Sequence, residues 1–271
     1  GWAAPPRHKR LSAGQGLDCL GLRASPALSR PIMPAMSPAE LAAHLERIRL
    51  AAREIGAWLR RTPTVYSYTF SESAGCQVYL KLENLQRTGS FKLRGALWRI
   101  LGLAPEVRAR GLVAASAGNH AQGVALAARV LGAHATIVMP EATALNKIRR
   151  TEGYGAEVIL FGASWDASQA RALELASASG ATLVHPFDDE RVIEGQGTVG
   201  LEILEDLPEV DTVVVPIGGG GLIAGVALAL KALRPAVRVI GVQAEGAPAM
   251  AESFRAGTRC VVAEPRTIAD G

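Results

Sequence analysis

The sequence predicts an α/β fold in which a parallel sheet is covered on both faces. Two observations carry this. From Val78 onward, short β-branched runs alternate with alanine- and leucine-rich stretches at helical period. The runs are also nearly continuous in apolar residues, the pattern of strands buried on both faces and joined by helical crossovers. Ahead of that pattern, Ser37, Pro38 and Glu40 supply an N-cap, a first-turn proline and an acidic first turn. They open an amphipathic helix expected over Pro38–Leu59, with Leu41, Leu45, Ile48 and Ile55 at helical spacing. The expected strands are Val78–Leu82, Leu112–Ala115, Ala135–Met139, Glu157–Phe161, Thr182–His185, Thr212–Pro216 and Val237–Val242. Ala121–Leu131, Ser168–Ala176 and Leu222–Leu233 read as helices between them. In such sheets, ligands bind where strands end and helices begin.

Composition narrows the function classes. At 271 residues, the chain suffices for one large domain or two modest ones. With 49% hydrophobic and 20% charged residues it reads as an ordinary globular protein, not a disordered chain or a coiled coil. The formal charge of +4 belongs entirely to residues 1–35, where Arg7, Lys9, Arg10, Arg23 and Arg30 face Asp18 alone. The remainder is neutral, which argues against a basic nucleic-acid binder. The longest apolar stretch, around Leu222–Leu230, is far short of a membrane span. Cys19, Cys76 and Cys260 are odd in number and widely spaced, which suits a reducing cytoplasm better than a disulfide framework or a zinc site.

Residues 1–36 contain Pro5, Pro6, Pro26, Pro31 and Pro34 with no helical or strand period, and read as a disordered leader. A transit peptide is conceivable from the Arg- and Ser-rich composition, but no amphipathic helix accompanies it. Translation from Met33 or Met36 is the expected start.

Three strand-to-helix junctions carry chemistry. The first, Gln86 to Gly95, holds Lys92, one of only five lysines, in the first turn of a helix that Ser90 would cap. A cation there opposes the helix dipole, so the neutral amine needed for Schiff-base chemistry is favoured. On position alone, a surface lysine in an exposed turn is the preferred reading. The second junction, Ser116-Ala117-Gly118-Asn119-His120, follows the strand Leu112–Ala115. Ser116 and Asn119 would cap the next helix and expose amides suited to a carboxylate. Ordinary capping with a solvated His120 is the bland alternative. The third places Gly218, Gly219, Gly220 and Gly221 between a buried strand and an apolar helix, where free amides can wrap a phosphate. A dinucleotide fingerprint also fits weakly, through Gly219, Gly221, Ala224 and Glu245, and would make the chain a nicotinamide-dependent oxidoreductase. That alternative leaves the first two junctions without a role.

Taken in this order, the junctions resemble the fold-type II pyridoxal-phosphate enzymes, more narrowly the threonine dehydratase (threonine ammonia-lyase) and serine racemase group. The resemblance runs from Arg61-Thr62-Pro63 to Thr267-Ile268-Ala269-Asp270-Gly271. It includes Leu80-Lys81-Leu82-Glu83-Asn84-Leu85-Gln86-Arg87-Thr88-Gly89-Ser90-Phe91-Lys92 and His185-Pro186-Phe187-Asp188-Asp189. It implies a tryptophan synthase β-like fold of two open-sheet lobes, the smaller (111–186) inserted in the larger (37–110 and 187–271). It implies that Lys92 holds pyridoxal 5'-phosphate, that Phe91 packs beside the pyridine ring and that Asn119 bonds its phenolic oxygen. Gly218, Gly219, Gly220, Gly221 and Leu222 would carry the phosphate, and Ser116, Asn119 and His120 the substrate carboxylate.

The implied activity is L-threonine to 2-oxobutanoate and ammonia, with L-serine as secondary substrate. A lyase acting mainly on L-serine or a hydroxyaspartate is the alternative. Threonine catabolism or isoleucine biosynthesis, a cytoplasmic location and a homo-oligomeric full-length form go with that group. Ala117 stands where serine racemases carry a second, proton-exchanging serine, which favours elimination over racemisation. The group's divalent-metal loop keeps Glu245 but has Ala251 where a second acid is expected, so no metal is assigned. The group also continues beyond Gly271 with further strands and the residue that meets the pyridine nitrogen, so the catalytic unit is expected to be C-terminally incomplete here.

Overall fold

The computed structural model describes residues 36–262 and 265–269. The leader expected over 1–36 lies outside them, apart from Met36. Helix α1 spans Pro38–Ile55, opened by a capping box in which the Ser37 hydroxyl accepts from the Glu40 amide and Glu40 answers the Ser37 amide. A short 3-10 turn, Gly56–Trp58, completes the segment expected to be helical.

Strands β1 (Thr64–Tyr66) and β2 (Tyr79–Lys81) pair antiparallel around helix α2, Tyr68–Ala74. This corrects the expectation of a parallel strand over Val78–Leu82. The short α2 reverses the chain, whereas a parallel pair needs a longer crossover. Helix α3 (Lys92–Leu101) and the brief α4 (Pro105–Ala109) lead into β3, Leu112–Ala115. Then follow α5 (Asn119–Val130), β4 (Ala135–Met139), α6 (Leu145–Gly153), β5 (Glu157–Leu160), α7 (Trp165–Ser179) and β6 (Thr182–Leu183). These four strands form a parallel sheet in the order β5-β4-β3-β6.

The pleat explains why β3 is apolar throughout. Leu112 and Ala114 enter a core with Leu93, Leu97 and Ile100 of α3 and Val124 of α5. Val113 and Ala115 face the other way, toward Ala172 of α7. Both faces are therefore dry, as the unbroken apolar runs predict.

The chain then enters α8 (Glu190–Asp206), β7 (Thr212–Pro216), α9 (Gly221–Leu233), β8 (Arg238–Val242) and α10 (Ala249–Ala256). Strands β7 and β8 are a parallel pair. Helix α8 is a buried hub that periodicity alone does not announce, because Gly195, Gly197 and Gly200 lower its helix propensity. Those glycines are where helices touch backbone to backbone. A Cβ on Gly195 would lie 2.6 Å from Gly95 Cα, and one on Gly225 would collide with Ile193 O of α8.

Candidate active site

Lys92 is the first residue of α3, and its amine donates to the Pro186 carbonyl at 2.7 Å. Burial holds its pKa down at about 8, because desolvation disfavours the ammonium. Phe91 occupies the N-cap with helical backbone angles, and the Ser90 hydroxyl is buried without a hydrogen-bond partner among the described residues. Ser90 is thus not the cap expected from the sequence: the first helical bond runs from Arg94 N–H to Phe91 O, one residue further on. The Phe91 ring centroid lies 5.4 Å from Lys92 Nζ. That ring packs against the core of Val213, Val215 and Val226.

The second junction meets the first directly. Gly123 in the first turns of α5 approaches so closely that an added Cβ would lie 3.0 Å from the Lys92 carbonyl carbon and 3.2 Å from its Cβ. Glycine there lets the α5 N-terminus rest on the lysine. Gly118, not Asn119, is the N-cap, and the Ser116 hydroxyl accepts from the Gly118 amide at 3.2 Å. Asn119 is the first helical residue and is half-buried. His120 turns inward, where its Nε2 donates to the Val184 carbonyl at 2.8 Å. Burial, with Lys92 nearby, pushes its pKa down to about 3. The ring is therefore neutral and already bonded, so His120 brings no positive charge to the first turn of α5.

The third junction closes the site from the other side. Gly220, at φ +93°, is the N-cap of α9, and the first amide of this turn with a backbone partner is that of Ala224, to Gly220 O. Gly218, Gly219, Gly220, Gly221 and Leu222 thus present a helix N-terminus. Gly218 has open space where a Cβ would stand. A Cβ on Gly219 would strike the Phe187 ring, and one on Gly221 would lie 2.9 Å from Phe187 O. Consecutive residues therefore serve two junctions: Pro186 receives the lysine and Phe187 seats the glycine turn.

Sequence reasoning assigned no role to His185 or Pro186, since a main-chain acceptor leaves no mark in residue type. It also missed the charges that fix α3. Arg94, fully buried, donates to Glu83 at 2.8 and 2.9 Å, to Glu202 at 2.6 and 3.0 Å and to Thr198 at 3.0 Å. Lys81 continues the network to Glu202 at 2.7 Å and Asp206 at 3.3 Å. Burial alone pushes the Glu202 carboxyl up, but the hydrogen bonds from Arg94 and Lys81 outweigh it and hold its pKa below the usual value. Glu245 and Ala251 lie beyond β8, on the loop after it and in α10.

The profile of a family described as pyridoxal-phosphate dependent enzyme matches residues 56–271. An L-threonine ammonia-lyase of Thermotoga maritima is 54% identical over 227 residues, which is 84% of this chain and 57% of that protein. A catabolic L-threonine dehydratase of Staphylococcus aureus is 52% identical over 225 residues, 83% of this chain and 65% of that protein. The chain thus spans less than two thirds of the length of either relative. Among solved structures, the processed threonine deaminase isoform 2 of Solanum lycopersicum superimposes with a TM-score of 0.83 at 39% identity, covering 88% of this chain and 68% of that one. Maize serine racemase gives 0.81 at 40% identity, covering 83% and 69%. The residues fit the cofactor in the family's description: a buried amine of lowered pKa lies against a turn that abuts a glycine cradle at a helix N-terminus.

Proposed function

The chain belongs to the pyridoxal-phosphate dependent enzyme family, and from that premise we propose that it carries the cofactor and substrate residues of a threonine ammonia-lyase. The observation that carries this reading is the convergence on Lys92 of the α5 N-terminus and the Pro186-Phe187 turn, which itself abuts the glycine cradle. The relatives named for threonine deamination support the substrate. We assign 37–110 with 187–271 to the cofactor-holding lobe and 111–186 to the smaller lobe, in line with the sheet of residues 112–183.

Pyridoxal phosphate, when bound, supplies an electron sink for the carbanion formed at the substrate α-carbon. Lys92 would anchor it, Phe91 would flank its ring, Asn119 would meet its phenolic oxygen, and the amides of Gly218, Gly219, Gly220, Gly221 and Leu222 would take its phosphate. Ser116, Asn119 and the first turn at His120 receive the substrate carboxylate. With its amine released when the substrate amine takes its place on the cofactor, Lys92 Nζ would accept the α-proton. That proton balances the departing β-hydroxide as water, and hydrolysis of the released enamine would give ammonia and 2-oxobutanoate. L-Serine would give pyruvate by the same route. Ala117 has no exchangeable proton to return to the opposite face, which favours elimination over racemisation. Detectable D-serine would count against that assignment. A homo-oligomeric, cytoplasmic full-length enzyme accords with this reading, and no helix among the described residues is long and apolar enough to cross a membrane.

The test is the Lys92→Ala substitution. It should abolish both covalent cofactor attachment, read from visible absorbance, and ammonia release from threonine; full activity in the variant would end the proposal. The pH dependence has a defined sign. Lys92 loses its proton as pH rises through about 8, so the rate of covalent cofactor uptake should climb through that value. Since the ordinary lysine value is 10.5, the unfolded chain holds more protons between about 8 and 10.5. The cofactor-free protein should therefore gain stability as pH rises across that window, measured by urea denaturation.

A further inference from the structure

His185 lies between the site's two halves without belonging to either. Its Nδ1 accepts from the Asp188 amide at 2.7 Å and from the Phe187 amide at 3.3 Å. Because backbone N–H groups only donate, Nδ1 must be unprotonated and the ring proton must sit on Nε2. The imidazole also stands edge-on to the Phe187 ring, centroids 4.7 Å apart at 81°. This is the geometry of an Asx-type turn, with an imidazole nitrogen in place of a side-chain carbonyl.

Everything the turn fixes matters to the site. Pro186 O, one residue on, holds the Lys92 amine. Phe187 fills the space that Gly219 and Gly221 leave by lacking a Cβ. We propose that His185 is a positioning residue: by accepting the two amides it locks the Pro186-Phe187 corner that sets the distance between the cofactor lysine and the phosphate-binding glycine turn. Its contribution to cofactor binding rests on the function proposed above, while its hold on the turn does not.

Two substitutions separate the acceptor from the bulk of the ring. His185→Phe keeps an aromatic edge for Phe187 but removes the acceptor. His185→Asn keeps an acceptor at nearly the Nδ1 position and suits this turn. In the Phe variant, affinity for pyridoxal 5'-phosphate should fall about tenfold or more, the effect of leaving one or two amides unpaired. Hydrogen exchange of the Asp188 amide should quicken by a similar factor. In the Asn variant both should stay within about threefold of the parent. The proposal is overturned if the Phe variant matches the parent in Asp188 exchange, or if the Asn variant is as impaired as the Phe variant. If the parent takes up no pyridoxal 5'-phosphate, the functional reading fails. In that case Asp188 exchange alone decides the role of His185, slower exchange in the parent than in the Phe variant supporting it.

Discussion

The four-stranded sheet and the helix cluster of α1, α3, α8 and α9 stabilise their sides of the site by opposite means. The sheet uses apolar strands with helices on both faces, and its β3 and β4 contribute Leu112, Val113, Ala114, Ala115, Ile137, Val138 and Met139 to a dry interior. The cluster buries charge instead. Arg94, Glu194, Gln196 and Thr198 are nearly inaccessible, and glycines let the helices approach until side chains are excluded from the crossings. Hydrophobic burial tolerates modest changes of shape. A matched ion network and a glycine crossing tolerate few. The rigid, exacting half is the one that carries Lys92 on the first turn of α3.

The contrast should appear as a ranking of mutational costs. Arg94→Met removes the cation that joins Glu83 to Glu202, leaving Lys81 as the partner of Glu202, and should cost about 3–5 kcal/mol in urea denaturation. Adding Glu202→Gln should return part of that loss; no recovery would mean that packing, not charge, is what Arg94 contributes. Gly225→Ala drives a methyl into Ile193 O of α8 and should cost roughly 1–3 kcal/mol, read from the same transition. Ile137→Val, fully buried in the sheet, should cost only about 1 kcal/mol. If Ile137→Val proves as damaging as Gly225→Ala, the distinction between a forgiving sheet and an exacting cluster collapses.

Much of the sheet was legible because its signal is local. The expected β3, β4 and β7 coincide with Leu112–Ala115, Ala135–Met139 and Thr212–Pro216, each bounded by turn residues. The three chemical junctions were legible as residue types at strand ends, and their resemblance to a known family linked them. What stayed hidden depends on partners far along the chain. Helix α8 looks weak by propensity and is stabilised by its neighbours. The parallel placement of Val78–Leu82 failed because pairing direction follows the connection rather than the strand. The inward turn of His120 depends on the Val184 carbonyl, 64 positions away.

The separation between Arg94 and its partners bears on how the chain can assemble. The bond from Arg94 to Glu202 spans 108 positions, and that from Gly95 to Gln196 spans 101. During synthesis, α3 leaves the ribosome long before α8 exists. Until then Arg94 has Glu83 alone among its two carboxylate partners, and the groove at Gly95 is open to water. The strands of the intervening sheet can meet their neighbours first, through shorter loops whose closure costs less entropy. The helix that carries the lysine is thus born early and finished late, and its anchor becomes rigid only when the second carboxylate arrives.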